Sequence, residues 1–208
     1  DVYKRQMLSM VGPALLIPLY VQNALGLSAL LSGLVIMPGA IINGIMSVFT
    51  GKFYDKYGPR PLIFTGFILL ISCTFLLCFL KVDTSYTYLI VIYAIRMFAV
   101  SLLMMPINTT GINALKTEDI SHGTAIMNFG RVMAGSLGTA LMVTFMSIGA
   151  QWVVSSSEHA SKEMIQRQSV AVGVDVSFAL VTVFVIIAFV LALFIKEPNH
   201  LTHNSRKV

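Results

Sequence analysis

GKFYDKYGPRPLIFTGFILLISCTFLLCFL fills residues 51–80, and its two parts together decide the fold. From Leu62 to Leu80 there is no charged residue. At about 1.5 Å rise per residue, a helix of this length spans roughly the 30 Å of a bilayer's hydrocarbon core. Backbone groups in hydrocarbon have no water to bond, so a spanning segment must be a helix or part of a closed barrel. Barrel strands alternate in polarity, and this run does not, so it reads as a helix. The preceding stretch carries Lys52, Asp55, Lys56 and Arg60. It therefore reads as a short charged connection at a membrane face.

The same reading extends to the whole chain. Of 208 residues, 56% are hydrophobic and 11% charged, with mean hydropathy +0.83; a soluble domain is roughly 45–50% apolar and about 25% charged. That excludes a water-soluble enzyme, a nucleic-acid-binding module and a disordered tail. Apolar segments run over Met7–Val21 (with Pro13 and Pro18), Leu30–Thr50, Leu62–Leu80, Tyr86–Asn108, Thr124–Ile148 and Val176–Ile195. No Asp, Glu or His lies inside them, and Asp175 stands at the edge of the sixth. The fold class is an all-α integral membrane protein, a six-helix transmembrane bundle. Cys73 and Cys78 share one apolar run, so they read as small apolar side chains, and no metal site is expected.

The expected organisation has three parts. Residues 1–6 (Asp1–Gln6) back-translate into the end of a common sequencing adapter and are read as an artefact. Residues 7–195 form the bundle, and 196–208, broken by Pro198, form a cytoplasmic tail. Orientation follows from the positive-inside rule. With the start inside, Lys52, Lys56, Arg60, Lys116, Lys196, Arg206 and Lys207 fall on the inner side, against Lys81, Lys162 and Arg167 outside. Both termini are then cytoplasmic in a multi-pass protein of the cell membrane. Trp152 falls at the outer interface, ahead of a polar outer loop, Val153–Val174.

In the 51–61 stretch, Gly51 permits close helix approach and Gly58 a tight reversal, and Pro61 suits a first helical turn. The Asp55 carboxylate can cap the next helix and pair with nearby bases. The order Gly51-x-x-x-Asp55-Lys56-x-Gly58-x-Arg60 resembles the signature loop of the major facilitator superfamily, between the second and third helices of a six-helix half. Pro18-Leu-Tyr20-Val-Gln22-Asn23-Ala-Leu-Gly26-Leu-Ser28 and Gly33-Leu-Val-Ile-Met-Pro38-Gly39 resemble the second half of the fourteen-span drug:proton antiporter family. Asn128-x-x-Arg131-x-x-Ala134-Gly135-x-x-Gly138-x-Ala140 is similar to a helix pattern of that subfamily, with Ala134 where glycine is usual. The resemblance covers Met7 to Pro198. It implies the C-terminal bundle of a multidrug efflux permease working by alternating access, with the N-terminal half in the missing part of the polypeptide. Its implied partners are membrane lipid, protons and small lipophilic or cationic substrates, with no cofactor and no nucleic acid. A metabolite or sugar transporter of the same fold, or a non-transporting scaffold subunit, are the alternatives. No HExxH and no Gly-x-Ser-x-Gly is present, and the chain is not read as an enzyme.

The candidate transport residues are the gating stretch Gly51, Asp55, Lys56, Gly58 and Arg60, and the membrane-embedded Arg96, Arg131, Asn43 and Asn128. An arginine at membrane depth is expected to face the bundle interior or water. The alternative for Arg96 is snorkelling to the outer surface, and for Arg131 a helix-bracing role. Ile92-x-x-x-Arg96 resembles an arginine motif of the superfamily's first half, but the glycines expected after it are absent. Asn43 and Asn128 are expected either to bond between helices or to line the cavity. Gly130, Ala134 and Gly138 form a small-residue packing stripe. With no acid inside a span, the proton-coupling carboxylate is expected in the missing half.

Overall fold

The computed structural model describes residues 16–80, 84–113, 115, 117–156 and 162–193. Every regular element among them is helical. Residues 16–23 form the described part of α1. There follow α2 (Ala29–Tyr57), α3 (Pro59–Leu76, extended by a 3-10 turn at Leu77–Phe79), α4 (Tyr86–Asn113), α5 (Ile120–Ser156) and α6 (Lys162–Leu193), with a further 3-10 turn at Thr117–Asp119 before α5. Helices α2 to α6 are each long and apolar enough to cross a membrane.

Local chemistry sets the helix ends. Ser28 precedes α2, and its hydroxyl accepts the Leu31 N–H at 3.3 Å, satisfying one of the orphan donors of the first turn. At the other end Gly58 adopts φ +77°, ψ 178°, and its N–H closes onto the Tyr54 carbonyl at 2.9 Å. Pro59 then opens α3, where a missing N–H costs nothing. One residue therefore connects two membrane helices. Pro38 and Pro106 lie within α2 and α4 without ending them.

Helix α4 packs between α2 and α3, α3 also packs on α6, and α6 packs on α5. The core follows that order. Leu16, Ile17 and Tyr20 of α1, Phe67 and Leu70 of α3, Leu103 of α4, and Phe178 and Val185 of α6 are fully buried. The opposite faces are apolar and bare. Leu30, Leu34, Met37, Ile41, Ile45 and Val48 make an exposed stripe along α2, and Ile126, Phe129, Met133, Leu137 and Leu141 another along α5. Apolar patches of that extent do not suit water, and are suited to cover by lipid or by further membrane helices.

Several expected boundaries move. Helix α2 runs to Tyr57, so Gly51, Asp55 and Lys56 lie on its last two turns, and the expected loop is a helix–glycine–helix corner. The expected outer loop over Val153–Val174 is mostly helix as well: α5 continues to Ser156 and α6 begins at Lys162. Hydrocarbon thickness fixes the minimum length of an apolar run. It does not end the helix, which continues into the interface until a cap or a glycine stops it. Asp175 consequently lies within α6, where its Oδ1 accepts the Leu80 N–H at 3.1 Å, level with the end of α3. The expectations for residues 1–6, for the start of the first span and for the tail at 196–208 lie outside the described residues.

Candidate functional site

The corner between α2 and α3 is built from the end of α2. Gly51 faces α4, and a Cβ there would sit 3.1 Å from the Met105 Sδ. One turn on, the Tyr54 hydroxyl reaches the Thr110 hydroxyl of α4 at 3.5 Å, so two adjacent turns of α2 lean on α4. Asp55, Lys56 and Arg60 are exposed on the rim. Lys56 Nζ lies over the Tyr57 ring at 5.2 Å from its centroid, and Tyr57 stacks with Phe53 at 6.1 Å. Asp55 does not cap α3: the residue at that cap is Gly58, which offers no side chain. The carboxylate stands instead near the C-terminal end of α2, where that helix's own dipole favours Lys56 and disfavours an anion. Local helix energetics therefore give no reason for an acid at this position.

The membrane-embedded candidates divide between two places. Arg96 is fully buried, within electrostatic reach of Tyr93 and of Cys73 on α3. It faces the bundle interior and does not snorkel. On the same stretch of α4, the Asn43 side-chain amide donates to the Met97 carbonyl at 3.1 Å and ties α2 to α4. Arg131 lies apart from both. Its Nη2 donates to Asn108 Oδ1 at 3.3 Å, joining α5 to α4. Asn128 is exposed. Gly130, Ala134 and Gly138 are buried along α5. An open recess follows Arg131 along α5, lined by Val132, Gly135, Ser136, Thr139 and Ala140.

A helix crossing that the sequence reading missed joins α5 and α6. A Cβ on Gly149 would lie 2.9 Å from the Gly173 Cα, so the two backbones are nearly in contact. Ser177 sits one turn below and donates to the Met142 carbonyl of α5 at 2.9 Å. The signal available was Gly149, the last of five glycines in α5, and Gly173, the one glycine of α6. It was hidden because Gly173 was assigned to a loop. Among the described residues, no group of three or more His, Cys, Asp or Glu side chains could hold a metal ion.

The profile of the Major Facilitator Superfamily matches residues 6–139, from the first helix through the middle of α5. The chain belongs to the Major Facilitator Superfamily. Its members are transporters, not enzymes, which accords with a multi-pass helical membrane chain. A lincomycin resistance protein of Listeria monocytogenes is 37% identical over 89% of this chain and 39% of its own length. An uncharacterised transporter of the superfamily from Bacillus subtilis is 47% identical over 62% of the chain and 24% of its own length. A multidrug export protein of Escherichia coli is 29% identical over 64% of the chain and 26% of its own length. The chain thus spans about two fifths or less of the relatives it matches.

Proposed function

We propose that this Major Facilitator Superfamily chain is the C-terminal bundle of a proton-coupled multidrug efflux permease that works by alternating access. The observation that carries the reading is the 37% identity to a lincomycin resistance protein over 89% of the chain. In this reading the N-terminal half of the same polypeptide supplies the second bundle, and the protein resides in the cell membrane with both termini cytoplasmic. Protons and small lipophilic compounds are the exchanged species. Asp175 is tied to the end of α3 through the Leu80 N–H, and we assign the coupling carboxylate to the other half.

The corner of Gly51, Asp55, Lys56, Gly58 and Arg60 is the gating element on the cytoplasmic side. An acid disfavoured by its own helix, on a one-residue connection, is suited to a partner that approaches in one conformation and leaves in the other. Replacing Asp55 with Asn in the full-length protein is expected to slow drug–proton exchange in everted vesicles by about tenfold or more, the equivalent of one lost charge-assisted hydrogen bond. The amount of protein in the membrane should be unchanged. Efflux at the native rate would refute the gating role.

A further inference from the structure

We infer that Ser101 is a positioning residue for the transport cycle: its hydroxyl and the Asn43 amide compete for one acceptor, the Met97 carbonyl, which makes the tie between α2 and α4 reversible. The inference rests on the transport reading above and names the pair of donors through which α2 is latched and released.

Helix geometry brings three donors to one oxygen. Within α4 the Met97 carbonyl takes the N–H of Ser101, four residues on. The Asn43 amide of α2 donates to the same oxygen at 3.1 Å. A carbonyl has two lone pairs, and both are then occupied. A serine or threonine hydroxyl inside a helix commonly turns back to the carbonyl three or four residues earlier. Ser32, Thr50, Thr74, Ser169, Ser177 and Thr182, the other buried serines and threonines among the described residues, all do so at 2.6–2.9 Å. Ser101 is 2% exposed, and its Oγ makes no hydrogen bond among the described residues. A buried hydroxyl left in that condition is costly, and the carbonyl one turn back is the one that Asn43 holds. Release of Asn43 opens that lone pair to Ser101, so one hydrogen bond replaces another. Asn43 is half-buried, and its amide is not confined to the seam. The exchange point is also well placed. Gly39 and Asn43, one turn apart on α2, both meet Met97: a Cβ on Gly39 would lie 2.9 Å from the Met97 Cγ. Two turns beyond Asn43, Gly51 meets Met105. Met97, Ser101 and Met105 recur every four residues, so Ser101 lies between two places where α2 bears on α4. Pro38 in α2 and Pro106 in α4 bracket the stretch, and each removes one helical bond, to the Leu34 and the Leu102 carbonyl respectively. Gly51, where the gating corner starts, is about 12 Å along α2 from Asn43, so a release at Asn43 frees the helix that carries the corner.

The test is a double-mutant cycle on the full-length protein: native, Ser101→Ala, Asn43→Leu and the two together. Thermal unfolding midpoints are read in detergent, and drug–proton antiport in everted vesicles. Ser101→Ala removes an unbonded buried hydroxyl and is expected to raise the midpoint. Asn43→Leu should lower the midpoint further in the Ser101→Ala background than in the native one, because no hydroxyl is left to take over the Met97 carbonyl. Ser101→Ala should also slow maximal antiport about fivefold, the equivalent of one ordinary hydrogen bond, with the KM for drug unchanged. A lowered midpoint for Ser101→Ala, or equal effects of Asn43→Leu in both backgrounds, would overturn the shared acceptor. Coupled midpoints with antiport at the native rate would overturn the role in transport. A native protein that moves no drug in the vesicles refutes the transport reading and leaves the hydrogen-bond exchange, read from the midpoints alone, standing.

Discussion

Gly58 is the residue on which the corner depends. Its φ of +77° with ψ of 178° is open to glycine and strained for every other residue. Gly58→Ala in the full-length protein is expected to cost about 1–3 kcal/mol, read as a lower midpoint of thermal unfolding in detergent; an unchanged midpoint would show that the corner adapts. Asn43 makes a smaller contribution. Its bond to the Met97 carbonyl joins two helices in a medium where such bonds are worth about 0.6–1.7 kcal/mol. Asn43→Leu should lower the same midpoint within that range, and a rise would assign the amide to transport instead of packing. Arg96 was legible as a membrane-embedded charge, and its burial follows because hydrocarbon penalises an outward guanidinium. Its neighbours Tyr93 and Cys73 were not legible, since they depend on how α3 is rotated against α4.

Among the elements, α5 and α6 show what an apolar pattern conveys and what it omits. Both helices are announced by long apolar runs, and their existence and type were plain from the sequence. Their ends were not: each run gives only the segment the bilayer requires, while the helices continue to Ser156 and back to Lys162 through polar residues. The same omission placed Asp55 in a loop as a cap for α3, when it belongs to the last turns of α2. The α5–α6 crossing carries its own prediction. Gly149 and Gly173 bring two backbones together. Gly173→Val must push them apart or displace Met146, an overpacking that typically costs about 1–3 kcal/mol. A circular-dichroism melt of the full-length protein should shift down. A melt that stays in place would mean that Ser177 and the apolar contacts hold the pair without the close approach.

For the molecule as a whole, the bare apolar stripes on α2 and α5 and the charged corner at one end define a body that stands across a lipid layer. The corner's residues were legible as a group because their order is a chemical pattern, and the family match covers them. Arg131 was legible as a membrane-embedded charge, but its bond to Asn108 was not, since that depends on how α5 is set against α4. The central proposal is that the Gly51–Pro61 corner faces the cell interior, while the end of α5 and the start of α6 face outward. The most direct test places a single cysteine in the full-length protein, its native cysteines replaced by serine, and exposes intact cells to a membrane-impermeant maleimide. Ser155→Cys should be labelled at once, and Lys56→Cys only after the cells are opened. Labelling of Lys56→Cys in sealed cells, with Ser155→Cys protected, would contradict the account.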